Sequence, residues 1–164
     1  MRRWLLMLAA ILFWGMAEAA TAQQISVCLA SAAQKYQLRE DLLAAIAQVE
    51  SGMNPQAVGK NRDGTEDIGL MQINSRWLPV LAEYGIQRGD LFDPCVSVHV
   101  GAWILAQNIA RHGNTWRAVG AYNAASESKR LAYVQRVASA MKRTFVPAPS
   151  RTARKKIVLR VIGG

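Results

Sequence analysis

The chain has 164 residues and a formal net charge of +9, long enough for one domain with a real hydrophobic core. Its two cysteines and two distant histidines offer no zinc spacing, so no metal is expected, and nothing implies a cofactor. The basic balance suggests a polyanionic partner, but no nucleic-acid-binding motif is present, and nucleic acid is set aside.

The chain opens with a basic head, Met1-Arg2-Arg3, then an apolar run from Trp4 to Met16, then the small-residue site Ala20-Thr21-Ala22 before Gln23. This is the pattern of a secretory signal peptide over residues 1–22. The apolar run is short for a transmembrane span, and no cysteine at the cleavage point calls for a lipid anchor. Cleavage leaves 142 residues with a charge of +8, without a stable membrane span and outside the cytoplasm. Cys28 and Cys95 both survive it and meet oxidising conditions, so a single bridge is expected. Two free buried thiols are the alternative.

The first helix beyond that point places Ile25, Cys28, Leu29, Ala32, Ala33 and Tyr36 on one face, a core-packing pattern. A second helix starts near Glu40, with Glu40 and Asp41 where the macrodipole favours acids, and stops at Gly52. Leu43, Ala47 and Glu50 share one face of it, so the Glu50 carboxylate projects from the apolar stripe. Partial desolvation and the negative helix end both disfavour its charged form, which suits a general acid. The competing reading is a structural salt bridge to one of the many basic residues.

Between Gly52 and Asp67, the residues Asn54-Pro55, Gly59, Asn61 and Asp63-Gly64 mark an irregular or hairpin-like loop able to wall a cleft. Beyond it, Gly69 permits close backbone approach, Gln72 offers an amide, and Asp67 supplies a second acid. Two carboxylates among polar amides suit glycoside chemistry. A helix then carries Trp77, Leu81 and Tyr84 as core residues, capped by Asn74 or Ser75 and ended by Gly85. Stacking of Trp77 on a sugar ring is the secondary reading for that residue.

Asp93-Pro94 is a strong helix entry, Asp as cap and Pro at the first position, and places Cys95 in the first turn. That helix runs to about Arg111, burying Val98, Ala102, Leu105 and Ile109, and Gly113 ends it. His99 is read as packed or solvated, and His112 suits a helix C-terminus. Asn114-Thr115 caps a short helix through Trp116 and Val119 to Ala121-Tyr122-Asn123. The last helix, Leu131 to Phe145, is expected to bury Leu131, Val134, Ala138, Met141 and Phe145. Residues 147–164 form a basic tail, with Arg151, Arg154, Lys155, Lys156 and Arg160 after Pro147-Ala148-Pro149. It reads as a solvated or docking extension.

Three short segments carry a family resemblance. Glu50-Ser51-Gly52, Gly69-Leu70-Met71-Gln72-Ile73 and Ala121-Tyr122-Asn123 resemble, in order and spacing, the motifs of soluble-lytic-transglycosylase-like (SLT) enzymes that cleave bacterial peptidoglycan. The run Gln72 to Trp77 is also similar to the segment after the second carboxylate of animal-type lysozymes, and Asp67 stands where that carboxylate would stand. Asp63 and Glu66 are rival acids, explained by turn chemistry and a solvated edge. Two departures stand out: Ala124-Ala125 replaces the usual Ala-Gly, predicting a different loop path, and Asp67-Ile68 precedes Gly69 where many transglycosylases have small or neutral residues.

The resemblance implies a mainly α, lysozyme-like α+β fold over residues 23–146, with a small loop or β-hairpin lobe forming a glycan cleft. It implies Glu50 and Asp67 as catalytic residues, and Ser51, Gly69, Met71, Gln72, Asn74, Tyr122 and Asn123 as substrate-binding. Tyr133 with Val137 resembles a further family pattern in which a tyrosine approaches the acid. The implied substrate is the peptidoglycan glycan strand, acted on in the periplasm by a monomer. Small relatives of this kind accompany type III secretion, conjugation or type IV pilus machines. A muramidase acting on the same bond and a non-enzymatic wall-binding adaptor are the alternatives.

Overall fold

A computed structural model describes residues 21–123 and 126–144. Helix α1 covers residues 21–36 and α2 Glu40–Ser51, followed by strands β1 Val58–Lys60, β2 Glu66–Ile68 and β3 Ile73–Asn74. A 3-10 turn at Ser75–Trp77 leads into α3, Leu78–Ala82, and a second at Arg88–Phe92 leads into α4, Pro94–His112. Helices α5, Trp116–Asn123, and α6, Glu127–Thr144, complete the described chain. The mainly helical, lysozyme-like class expected from the sequence is what forms, with one small antiparallel sheet.

Helix boundaries follow their local signals. Gly52 adopts a left-handed φ of 64° and its N–H caps the Ala47 and Gln48 carbonyls, ending α2 where expected. Asp93 accepts from Cys95 and Val96 N–H, so Asp-Pro opens α4 as anticipated. Asn74 caps the turn after β3 by accepting from Arg76 N–H.

Helix α4 is the central support, with Val98, Ala102 and Leu105 fully buried. Leu43 and Ile46 anchor α2 in the same core, each contributing about 1.5–3 kcal/mol by burial. Helix α6 packs along α2, and α5 bridges α4 to α6. Cys28 and Cys95 form the expected disulfide, tying α1 to the first turn of α4. His99 is half-buried, edge-on to Tyr36, and partial burial with the nearby charge of Lys35 lowers its pKa.

The loop after α2 resolves into the sheet, ordered β1-β2-β3, with Asp67 opposite Gly59 on one side and Asn74 on the other. Glu66 opens the central strand and is held by Arg88, whose Nε and Nη2 both donate to Glu66 Oε2 at 2.9 and 2.8 Å. Asp63 accepts from Thr65 N–H and Oγ1 in the turn, as its position suggested.

Two packing expectations are overturned. Tyr84 is 70% exposed, because α3 stops at Ala82 and the chain turns through Gly85 at φ 74°, leaving Tyr84 off the helical stripe of Leu81. Leu131 is 58% exposed, because α6 starts four residues earlier than read and buries Tyr133, Val137 and Ala140 instead. Val134 and Met141 flank that stripe as partly buried residues. Phe145, the Ala124-Ala125 departure, the basic tail at 147–164 and most of the signal segment lie outside the described residues. The expected cleavage point before Gln23 falls within helix residues 21–36.

Candidate active site

The apolar stripe of α2 delivers Glu50 to the interior: Leu43 and Ala47, seven and three residues before it, are both 0% exposed. There the hydroxyl of Tyr133 donates to Glu50 Oε1 at 2.6 Å. Tyr133 itself is fully buried, and burial beside Glu50 pushes its phenol far above the ordinary value, so it serves as a donor. Burial raises the Glu50 carboxyl from 4.5 to about 7. The charge of Asp67 pushes the same way, while hydrogen bonds from Tyr133 and Asn123 and the charge of Arg136 pull it part of the way back.

Asp67 faces the acid from the sheet lobe. Its Oδ2 accepts from Asn61 Nδ2 at 2.9 Å and its Oδ1 from Asn74 Nδ2 at 2.8 Å. Both carboxylate oxygens are thereby fixed, and Thr65 Oγ1 accepts from the same two amides. Antiparallel pairing of β2 with β3 sets the Asn74 contact, since Asn74 is the register partner of Asp67.

Glu50 and Asp67 line one polar cleft of about 510 Å³, together with Gln72, Asn74, Tyr122 and Asn123. Six of the residues expected at the site thus meet in one place, and Tyr133 stands behind the acid. Gln72 holds a left-handed φ of 49° while its amide donates to the Gly69 and Ala57 carbonyls, buckling the segment below the cleft. The Tyr122 hydroxyl donates to the Met71 carbonyl at 2.9 Å, so its proton is already engaged.

Ser51, Gly69 and Met71 are not among the residues lining the cleft. The Ser51 hydroxyl donates to the Leu70 carbonyl at 2.8 Å, fastening the end of α2 to the motif after Asp67. Gly69 has φ 75°, and a Cβ there would stand 2.0 Å from the Leu91 carbonyl oxygen. Met71 is buried, and its N–H donates to Ser97 Oγ at 3.1 Å. These three shape the backbone that carries the site.

Other contributors were read from the sequence only in part or not at all. Trp77, taken first as core, both stacks edge-on against Trp103 at 5.3 Å and lines the cleft. Asn61 looked like a turn residue and nothing more. Gly101 lies mid-helix in α4, where a Cβ would meet Met71 and the Tyr122 hydroxyl at 2.8 Å; an isolated glycine inside a helix is the signal for such close approach. Arg136 lies over the Tyr133 ring, with Cζ 5.5 Å from its centroid. A second cavity of about 490 Å³, beside Tyr36, His99 and Trp103, has no carboxylate in its lining and offers no comparable chemistry. Among the described residues, no cluster of His, Cys, Asp or Glu is placed to hold a metal ion, and no helix is long and apolar enough to cross a membrane.

A helical domain with a small antiparallel lobe, and a partly buried acid facing a second carboxylate across the cleft, defines a lysozyme-like domain. Within that class the chain belongs to the transglycosylase SLT domain family, whose model matches residues 27–145. It is 49% identical over 104 residues to invasion protein IagB of Salmonella typhimurium strain SL1344, an alignment covering 63% of this chain and 65% of that relative. It is 36% identical over 124 residues to a peptidoglycan-binding-like protein of Escherichia coli O157:H7, covering 68% of this chain and 74% of the relative. A solved structure of an inactive mutant of the lytic transglycosylase Slt from Pseudomonas aeruginosa superposes with a TM-score of 0.59 at 23% identity. That superposition covers 75% of this chain and 25% of Slt, and it shows a shared fold.

Proposed function

We propose that this protein is a peptidoglycan lytic transglycosylase that cleaves the β-1,4 bond between N-acetylmuramic acid and N-acetylglucosamine and releases a 1,6-anhydromuramic product. The observation that carries the reading is the Glu50 carboxyl, partly buried, held by Tyr133 and raised to about 7, at the wall of a polar cleft. Glu50 gives its proton to the glycosidic oxygen as the bond to C1 breaks and the leaving sugar departs neutral. Glu50, now ionised, takes the proton of the muramic C6 hydroxyl as that oxygen closes on C1. The proton returns to Glu50, and no water is consumed.

Asp67 stabilises the positive charge that develops at C1, its oxygens oriented by Asn61 and Asn74. Gln72, Asn74, Tyr122, Asn123 and Trp77 shape the subsites around the scissile bond. The exported form comprises residues 23–146 as the glycan-cleaving domain and 147–164 as a basic tail, and it works as a monomer in the periplasm. Local opening of the wall for a secretion, conjugation or pilus machine fits a relative named for invasion.

Mass spectrometry of the soluble muropeptides released from purified sacculi tests this. Anhydro products from the wild type, and none from a folded Glu50→Gln variant that still binds glycan, are expected. General acid and base work by one residue predicts a loss of at least about 10²–10⁴-fold. Retained activity in Glu50→Gln would sink the mechanism. The amide-held Asp67 favours a second reading, a muramidase that admits water to C1, and reducing-end products would establish it. A wall-binding adaptor would release nothing.

A further inference from the structure

Arg136 acts on the acid, yet the proposed reaction gives it no role. Arg136 follows Tyr133 by three residues on α6, one turn along the same face. Its guanidinium carbon stands 5.5 Å from the centroid of the Tyr133 ring, whose hydroxyl donates to Glu50 at 2.6 Å. Tyr133 is fully buried, whereas Arg136 is exposed and reaches over the ring from the groove between α2 and α6, beside Gln48 and Val49. A cation on the π face draws electron density from the ring and makes the phenol a stronger donor.

We propose that Arg136 is a positioning residue for the acid, clamping and polarising the Tyr133 phenol that holds Glu50. The groups acting on Glu50 come from three sides: Asp67 on β2, Asn123 on α5, and Tyr133 with Arg136 on α6. Burial and Asp67 oppose ionisation of Glu50, and the α6 pair together with Asn123 favours it. The pair therefore keeps the acid able to lose its proton and take the next one, which a single residue serving as acid and base requires. This rests on the transglycosylase reading for its catalytic meaning, but the electrostatic link is measurable without turnover.

The test follows the Glu50 side-chain carboxyl by carbon-13 NMR titration in the full exported protein, as wild type, Arg136→Gln, Arg136→Lys, Tyr133→Phe and the Tyr133→Phe/Arg136→Gln pair. Arg136→Gln should move the Glu50 midpoint upward by about half a pH unit, a size set by the exposure of the guanidinium. Arg136→Lys should restore it, and in the Tyr133→Phe background the Arg136 substitution should leave only the smaller, direct effect of its charge. The hydroxyl proton of Tyr133 should also shift upfield in Arg136→Gln, a readout that does not need the phenylalanine variant to fold. On sacculi the alkaline limb of the kcat profile should follow the midpoint, with KM unchanged. An unmoved midpoint, or an equal shift with and without the Tyr133 hydroxyl, would overturn the proposal. If wild type released no product while the NMR coupling held, the reaction assignment would fail and the Arg136–Tyr133–Glu50 link would stand.

Discussion

The reaction proposed for Glu50 makes two demands. A carboxyl that protonates a leaving oxygen near neutrality has to be desolvated, yet the same group has to be stable enough as an anion to take a proton back. Burial answers the first, and the short bond from Tyr133 answers the second. Asp67 is arranged differently, with one amide donor on each oxygen. Asp67→Asn should lower turnover by about 10²-fold, since it removes the charge proposed to stabilise the oxocarbenium-like state. It should cost about 1 kcal/mol of stability, because one of the two amide donors loses its acceptor. Turnover on sacculi and a thermal melt measure the two; an unchanged rate would reduce Asp67 to a hairpin residue.

Among elements, the segment after β2 shows how a motif can be structural in detail while serving the site. Gly69 lets the chain pass against the Leu91 carbonyl, Ser51 fastens α2 to Leu70, and Ser97 holds Met71. Gly69→Ala would demand a left-handed alanine with its Cβ 2.0 Å from a backbone oxygen, so backbone has to move. Loss of more than about 3 kcal/mol, or failure to fold, is expected in a urea melt. A fully stable Gly69→Ala would mean that the Arg88–Phe92 turn yields freely.

The same scale explains which features of the sequence were legible. The ends of α2 and α4 were, because Gly52 and Asp93-Pro94 act on their own neighbours. The buried face of α6 was not: its apolar residues fit two helical phases, and contact with α2 and α5 together selects Tyr133, Val137 and Ala140 over Leu131. Strands of two or three residues carry too little alternation to be placed, so the lobe read only as a loop or hairpin without strand bounds.

For the whole molecule, the Cys28–Cys95 bridge closes a separation of 67 residues and contributes about 4 kcal/mol on the chain-entropy model. Replacing both cysteines by serine should lower the unfolding free energy by that order, measured by urea titration, without touching the cleft. Glu50 sets the pH dependence. Its folded pKa of about 7 exceeds the ordinary 4.5, so the folded state holds the proton more tightly and stability falls as pH rises through that window. The contribution is fully present below about 4.5 and lost above about 7, a difference of about 3 kcal/mol. Glu50→Gln does not titrate, so its stability relative to wild type should rise by that amount between pH 4 and pH 8. A difference independent of pH would mean that Glu50 titrates alike in both states.

By itself the sequence determined what local chemistry can determine: the helix that carries Glu50, the acid at its apolar edge, the two cysteines and the three short segments that mark the family. Periodicity and capping act within a few residues, so one chain of letters contains them. Only the tertiary structure decided that Tyr133 donates to Glu50 from 83 residues away, that Tyr122 is engaged by Met71 and that Arg136 covers the tyrosine ring. Those contacts exist because α6, α5 and α2 pack into one core, and burial, which sets the proton affinity of the acid, is a property of that packing.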